Sequence, residues 1–224
     1  MKISLFDLHC DTLSELYNKK LGLTSNSLHI SLDKTACYEN YGQIAALWSN
    51  PDFTPDECYR RFFEITDYFK NQLQNTGSYH AGIASDGENT AVSFTKGQKT
   101  FIYSVEGGTL LNSDLTRLDE LFGKGVRILT LVWNQECCIG GAFDTNEGLT
   151  PFGEKVAEKC FEIGIIPDIS HSSDRSAFQL AQIAEKYSKP FIASHSNSRS
   201  VFAHPRNLTD ELFNKIMKSG GVAE

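Results

Sequence analysis

Short runs dense in apolar residues alternate along this chain with stretches whose apolar positions recur every three or four residues. The short runs predict strands at residues 3–8, 43–48, 100–105, 127–132, 165–169 and 190–193. A weaker strand at 90–95 reads as part of an inserted hairpin. These runs are rich in Ile, Val, Leu and Phe without clean alternation, as strands covered on both faces are. The helical stretches carry their own start and stop signals. Thr54-Pro55-Asp56-Glu57 reads as an N-cap, a first-turn proline and a capping-box glutamate, followed by the stripe Cys58, Phe62, Ile65, Phe69 and Leu73. Leu115, Leu118 and Phe122 form a shorter stripe that stops near Gly123. Thr150-Pro151 opens a helix closed by Gly164, Ser173 caps the next through about Tyr187, and Thr209 caps another before Gly220. In that last helix Leu212, Phe213, Ile216 and Met217 are expected to face inward. Strand–helix alternation of this kind predicts a mostly parallel sheet with right-handed crossovers. With no linker and no low-complexity tract, residues 1–224 are expected to form a single α/β domain.

Composition narrows the partners more than the fold. The net charge of −7, without a lysine or arginine cluster, argues against nucleic acid or an acidic membrane surface. No apolar run approaches bilayer-spanning length, and the first residues turn polar too soon for a signal peptide. The six cysteines include no Cys-x-x-Cys, and reduced thiols in a cytoplasmic protein are the reading that fits.

The chemistry gathers at strand ends, where barrels and open α/β sheets place their sites. His9 and Asp11 stand two residues apart at the end of the first strand, so an extended backbone points both to one side. An imidazole with a hard carboxylate suits zinc or a similar cation; Asp11 as the N-cap of a helix over residues 12–18 is the structural alternative. Cys10, between them, is expected on the opposite face. Glu106 follows the third run and precedes Gly107-Gly108, where it can bridge two cations or sit solvated in a glycine turn. His171 and His195 each close a later strand, with Asp168 and nearby serines able to orient the rings. Arg206, in the loop after His195, has the planar fork that suits a substrate carboxylate, although a surface arginine explains it equally. His29 and His80 occupy no such strand end and read as surface residues. There is no Gly-x-Ser-x-Gly elbow and no phosphate-binding glycine loop.

Taken together, Asp7-Leu8-His9-Cys10-Asp11-Thr12-Leu13, Val105-Glu106-Gly107-Gly108, Gly125-Val126-Arg127-Ile128-Leu129-Thr130-Leu131, Gly148-Leu149-Thr150-Pro151-Phe152-Gly153, Asp168-Ile169-Ser170-His171, Ser194-His195-Ser196 and Arg206-Asn207-Leu208 resemble the membrane (renal) dipeptidases. These are zinc peptidases of the amidohydrolase-like (β/α)₈ barrel group. The resemblance implies a TIM-type barrel and two zinc ions, one on His9 and Asp11, the other on His171 and His195, with Glu106 bridging them as the central catalytic residue. It also implies that a bridging metal-bound hydroxide attacks a small dipeptide, including one with a C-terminal D-residue, whose carboxylate Arg206 would hold. Trp133 stands where that family commonly carries a histidine that polarises the scissile carbonyl, so substrate handling is expected to differ there. The resemblance further implies that strands seven and eight, and a later acid/base aspartate, would lie beyond Glu224. On that expectation the chain is a truncated barrel that pairs with itself or with a complementing C-terminal fragment. A catalytically impaired metal-binding fragment, or another amidohydrolase-type hydrolase, are the alternative readings.

Overall fold

The computed structural model describes residues 3–77, 80–83 (backbone alone) and 97–224. The strands are β1 (Leu5–Cys10), β2 (Tyr41–Trp48), β3 (His80–Ile83), β4 (Gln98–Glu106), β5 (Val126–Thr130) and β6 (Ile166–Asp168). The helices are α1 (Thr12–Lys19), α2 (Pro55–Gln74), α3 (Thr116–Gly123), α4 (Pro151–Ile163), α5 (Asp174–Tyr187) and α6 (Asp210–Ser219). All ladders are parallel, in the order β1-β2-β4-β5-β6. The short β3 lies along the first half of β4, on the edge that β5 takes over further on. The strand expected at 90–95 lies outside the described residues.

Two clusters of apolar side chains show how the sheet is shaped. The larger fills the space between strands and helices, with Phe62 and Phe69 of α2, Tyr103 of β4 and Leu180 of α5 all buried. The smaller brings together Ile44 of β2, Ile128 of β5 and Ile192, with Phe6, Leu8 and Ile166 against them. Strands that are not neighbours in the ladder meet there, which a flat sheet forbids. The sheet therefore curls, as a parallel barrel does. The curl continues past β6 through isolated parallel bridges, Asp168 to Ile192 and Ala193 to Ala223. On the far side, the Leu8 amide donates to Glu224 Oε2 at 2.9 Å. This is a curled parallel half-barrel of TIM-type α/β architecture.

The helix ends follow the sequence closely. Thr54 accepts from the Glu57 amide in a complete capping box, and Thr150, Ser173 and Thr209 accept from Gly153, Ser176 and Leu212. Such caps contribute about 1 kcal/mol each. Gly164 and Gly220 close α4 and α6 in the left-handed region. Two expectations need correction. Residues 190–193 make bridges and not a ladder strand, because Pro190 has no amide to give and the far neighbour pairs only at Ala223. In α6, Leu212 and Ile216 are buried, but Phe213 and Met217 are 44% and 57% exposed. The apolar stripe is wider than the surface it meets.

Candidate metal centre

Parallel strands all end on one side, so side chains at their C-terminal ends converge whatever their distance in sequence. His9 lies next to the end of β1, Glu106 ends β4, and His171 follows β6 by three residues. His195 follows the bridge at Ala193. Glu106 sits at the centre of this set. Its Oε2 is 3.6 Å from His9 Nε2, and its Oε1 is 3.1 Å from His171 Nε2 and 3.4 Å from His195 Nε2. Ligand atoms of His9, Glu106 and His195 all lie within 4.8 Å of one another, a spacing that a cation can fill.

The rings of His171 and His195 are oriented from behind. His171 Nδ1 donates to Asn134 Oδ1 at 2.8 Å. Ser194 Oγ gives its proton to Asp168 Oδ2 at 2.6 Å and so accepts from His195 Nδ1 at 2.8 Å. With both Nδ1 atoms protonated, the two neutral rings turn their Nε2 lone pairs toward each other, 2.8 Å apart. Two facing lone pairs repel unless a proton or a metal ion lies between them. The donor set therefore fits a divalent cation, and the ring partners are of the kind that fix metal-ligating imidazoles.

Asp168 anchors this arrangement from inside the fold. It is fully buried and accepts from Thr130 Oγ1 at 2.6 Å, Ser194 Oγ at 2.6 Å, the Ser170 amide at 2.9 Å and the Ser194 amide at 3.0 Å. Burial pushes its carboxyl up, but His195, when its ring is protonated, and these hydrogen bonds hold it below the ordinary value. Glu106 follows the same logic: burial opposes the charge, yet His171, His195 and His9, which donate to it when their Nε2 atoms carry protons, hold it far below the usual carboxylate range. His9 is drawn down by burial, but Glu106, Asp11 and Asp168 outweigh that and raise it. His171 ends below its ordinary value, through burial first and the charge of Arg206 after the opposing bond to Glu106. The His171 backbone adopts φ 69°, the left-handed region, where a non-glycine residue is uncommon.

The remaining candidates lie around this group. Asp11 precedes α1 but makes no side-chain cap, so the capping alternative is not taken; it lines the central cavity, with burial and the charge of Glu106 raising its carboxyl. Cys10 also lines that cavity, contrary to expectation, because the β1–β2 register slips between Asp7 and Cys10 and breaks the alternation. Arg206 is half-buried and donates through Nη1 to Ser196 Oγ at 2.6 Å. The loop carrying it is pinned by a two-pronged pair of Arg199 with Asp174 at 2.7 Å. Trp133 faces the cavity beside Trp48 and 6.2 Å from the His171 ring.

The cavity itself holds about 810 Å³ and runs from the imidazoles to α1 and to residues 27–30. His29, expected only as a surface residue, is exposed but lines this cavity; the side chain of His80 lies outside the described residues. Asn134 carries no signal of its own in the sequence. It sits in an irregular loop, and only its place directly after Trp133 marks it. None of the described helices is long and apolar enough to cross a membrane.

Comparison with known proteins agrees with this geometry. The sequence model for the membrane dipeptidase family (Peptidase family M19) matches residues 1–224. Dipeptidase 3 of Mus musculus is 36% identical over 131 residues, covering 54% of this chain and 26% of the mouse protein. Dipeptidase 3 of Rattus norvegicus is 37% identical over the same shares of each chain. The matched stretch thus spans about a quarter of those relatives' length. Among solved structures, a metallo peptidase from Rhodobacter sphaeroides, liganded with a phosphinate mimic of the dipeptide L-Ala-D-Ala, superposes with a TM-score of 0.82 at 20% identity, covering 100% of this chain and 73% of that one. A metallo peptidase described as dipeptidase AC gives 0.83 at 21% identity, covering 100% and 72%.

Proposed function

The chain belongs to the membrane dipeptidase family, a family of metallo dipeptidases, and we propose that it binds two zinc ions and hydrolyses small dipeptides, those with a C-terminal D-residue included. The observation that carries this reading is the pair of oriented imidazoles, His171 and His195, whose lone pairs face each other beside Glu106. In it, His171 and His195 hold one ion, His9 and Asp11 hold the other, and Glu106 lies between them. Bound there, two divalent cations would bring the pKa of a shared water toward neutrality and polarise the scissile carbonyl. The protein's own share is to hold the ligands in register through Asn134, Ser194 and Asp168, and to bind the substrate. Arg206 would take the dipeptide's terminal carboxylate, releasing Ser196 Oγ to do so.

A second reading, metal binding with little turnover, is favoured by one observation. Among the described acidic residues of the site, Asp11 and Glu106 are taken up as ligands, while Asp168 is fully buried and saturated with donors. None of them is free to protonate the leaving amine, and losing such a group costs about 10²–10⁴-fold in rate. A complementing C-terminal fragment or a second copy would then supply it.

Zinc content by elemental analysis and release of D-Ala from L-Ala-D-Ala separate these readings. Two ions with turnover support the dipeptidase; two ions without turnover support the second reading. Less than one ion per chain, after purification without chelator, would sink both.

A further inference from the structure

The chain has two tryptophans, and both line the same cavity beside the candidate metal centre. Trp48 ends β2 and pairs in register with Glu106; Trp133 follows β5. Their ring centroids lie 4.8 Å apart with planes tilted by 58°, close contact for two indoles. Gly107 adjoins this pair. Its φ of 85° favours glycine, and a Cβ there would stand in ordinary contact with Trp133 Cβ at 3.4 Å and Ser49 Cβ at 3.6 Å. The backbone around it is tied down, with the Gly107 amide donating to Thr130 O at 3.0 Å and Ser49 Oγ donating to Gly107 O at 2.7 Å. The wall is thus attached to the same strand end that carries Glu106. Across the cavity, Leu28 and Ile30 supply further apolar lining.

Resting on the dipeptidase reading, we propose that Trp48 and Trp133 form a specificity wall that takes a large apolar side chain, aromatic by preference, of the substrate next to the scissile bond. A rigid pair of aromatic faces costs little side-chain entropy to order and gains area with each ring it stacks. A polar or very small side chain gains nothing from it. The wall stands next to the imidazoles, since Trp133 lies 6.2 Å from His171, so a side chain held there keeps its own backbone carbonyl beside the candidate metal centre. Trp133 then contributes selectivity at the position where the histidine expected from the family resemblance would polarise the carbonyl.

Intrinsic fluorescence reports on this wall directly, because no tryptophan lies elsewhere. The zinc-loaded protein is titrated with three phosphinate dipeptide mimics, of Ala-Ala, Phe-Ala and Ala-Phe type, with affinity taken from calorimetry. One of the aromatic mimics is expected to bind at least about tenfold more tightly than the small one and to perturb the tryptophan emission. Trp133→Ala should erase that difference; Trp133→Phe, which keeps an aromatic face and the fold, should retain most of it. Equal affinity for small and aromatic mimics, or an unchanged emission on binding the aromatic one, overturns the wall alone. Binding of none of the mimics by zinc-loaded protein overturns the dipeptidase reading and the wall with it.

Discussion

The two halves of the candidate metal centre are built differently. Behind His171 and His195 stand the buried Ser194, Thr130 and Asp168 and the exposed Asn134, each bonded so that the rings can take one orientation. On the β1 side the bonds secure backbone and neighbouring side chains: the His9 amide donates to Asp7 Oδ1 at 3.0 Å, and Asp7 Oδ2 accepts from Tyr41 and Gln43. Asp11 there makes no capping bond that would fix its side chain, although its carboxyl is crowded by the cavity wall. The contrast shows that one half is pre-organised through its side chains and the other is placed only by its strand. Pre-organised ligands bind more tightly because less ordering remains to be done on binding. The His171/His195 half should therefore hold its ion at lower zinc concentration.

The largest effect is expected where the halves join. Glu106→Gln removes the charge shared by all three imidazoles and should strip both ions on dialysis, as elemental analysis would show. Full zinc retention by that variant would mean that the halves are independent.

Next comes the anchor of the ordered half. In Asp168→Asn the amide N–H meets either the Ser170 and Ser194 amides, which cannot accept it, or the Thr130 and Ser194 hydroxyls, which must give up their present bonds to do so, so about 3 kcal/mol of stability should be lost at neutral pH. The acid side of the curve tests the cause. The Asp168 carboxyl lies below its ordinary value in the folded protein, so its contribution is complete above the unfolded value near pH 4 and is lost as pH falls through the folded value. The gap in denaturation midpoint between metal-free wild type and Asp168→Asn should shrink from pH 6 to pH 3. A constant gap would assign the loss to packing.

The smallest effects separate the halves one at a time. Ser194→Ala leaves the ligand in place but frees the His195 ring, and should weaken the tighter ion about 10–100-fold. Asp11→Ala should weaken only the other ion and leave the tighter one within about threefold. Competition of each variant with a chelating dye reads both affinities. If Ser194→Ala affects both ions equally, the contrast between the halves fails.

Much of this was legible in the sequence because local physics decided it. The caps at Thr54, Thr150, Ser173 and Thr209, and the strand ends at Glu106 and just ahead of His171, follow from neighbours a few residues away. What could not be read depended on distant partners or on irregular backbone. Residues 80–83 are too short a run to stand out, and pair only because β4 extends beyond β5. Cys10 turns toward the cavity through a register slip that alternation does not foresee. His29 and Asn134 reach the site from loops, where no period marks a position. The exposed faces of Phe213 and Met217 look buried in sequence because hydrophobicity states what can be covered, not what is.

The backbone of His171 also sets which substitutions the site can explore. At φ 69° most side chains cost about 1–2 kcal/mol, while glycine, asparagine and aspartate relax. Glycine supplies no side-chain donor and asparagine only a neutral amide oxygen. Aspartate alone eases the chain and still offers a charged oxygen toward Glu106. A descendant of this protein that drifts at position 171 is thus steered by its own main chain from imidazole to carboxylate, and so toward harder ions such as manganese or magnesium. His171→Asp, loaded in a mixture of zinc and manganese, is expected to take up a larger share of manganese than the parent does.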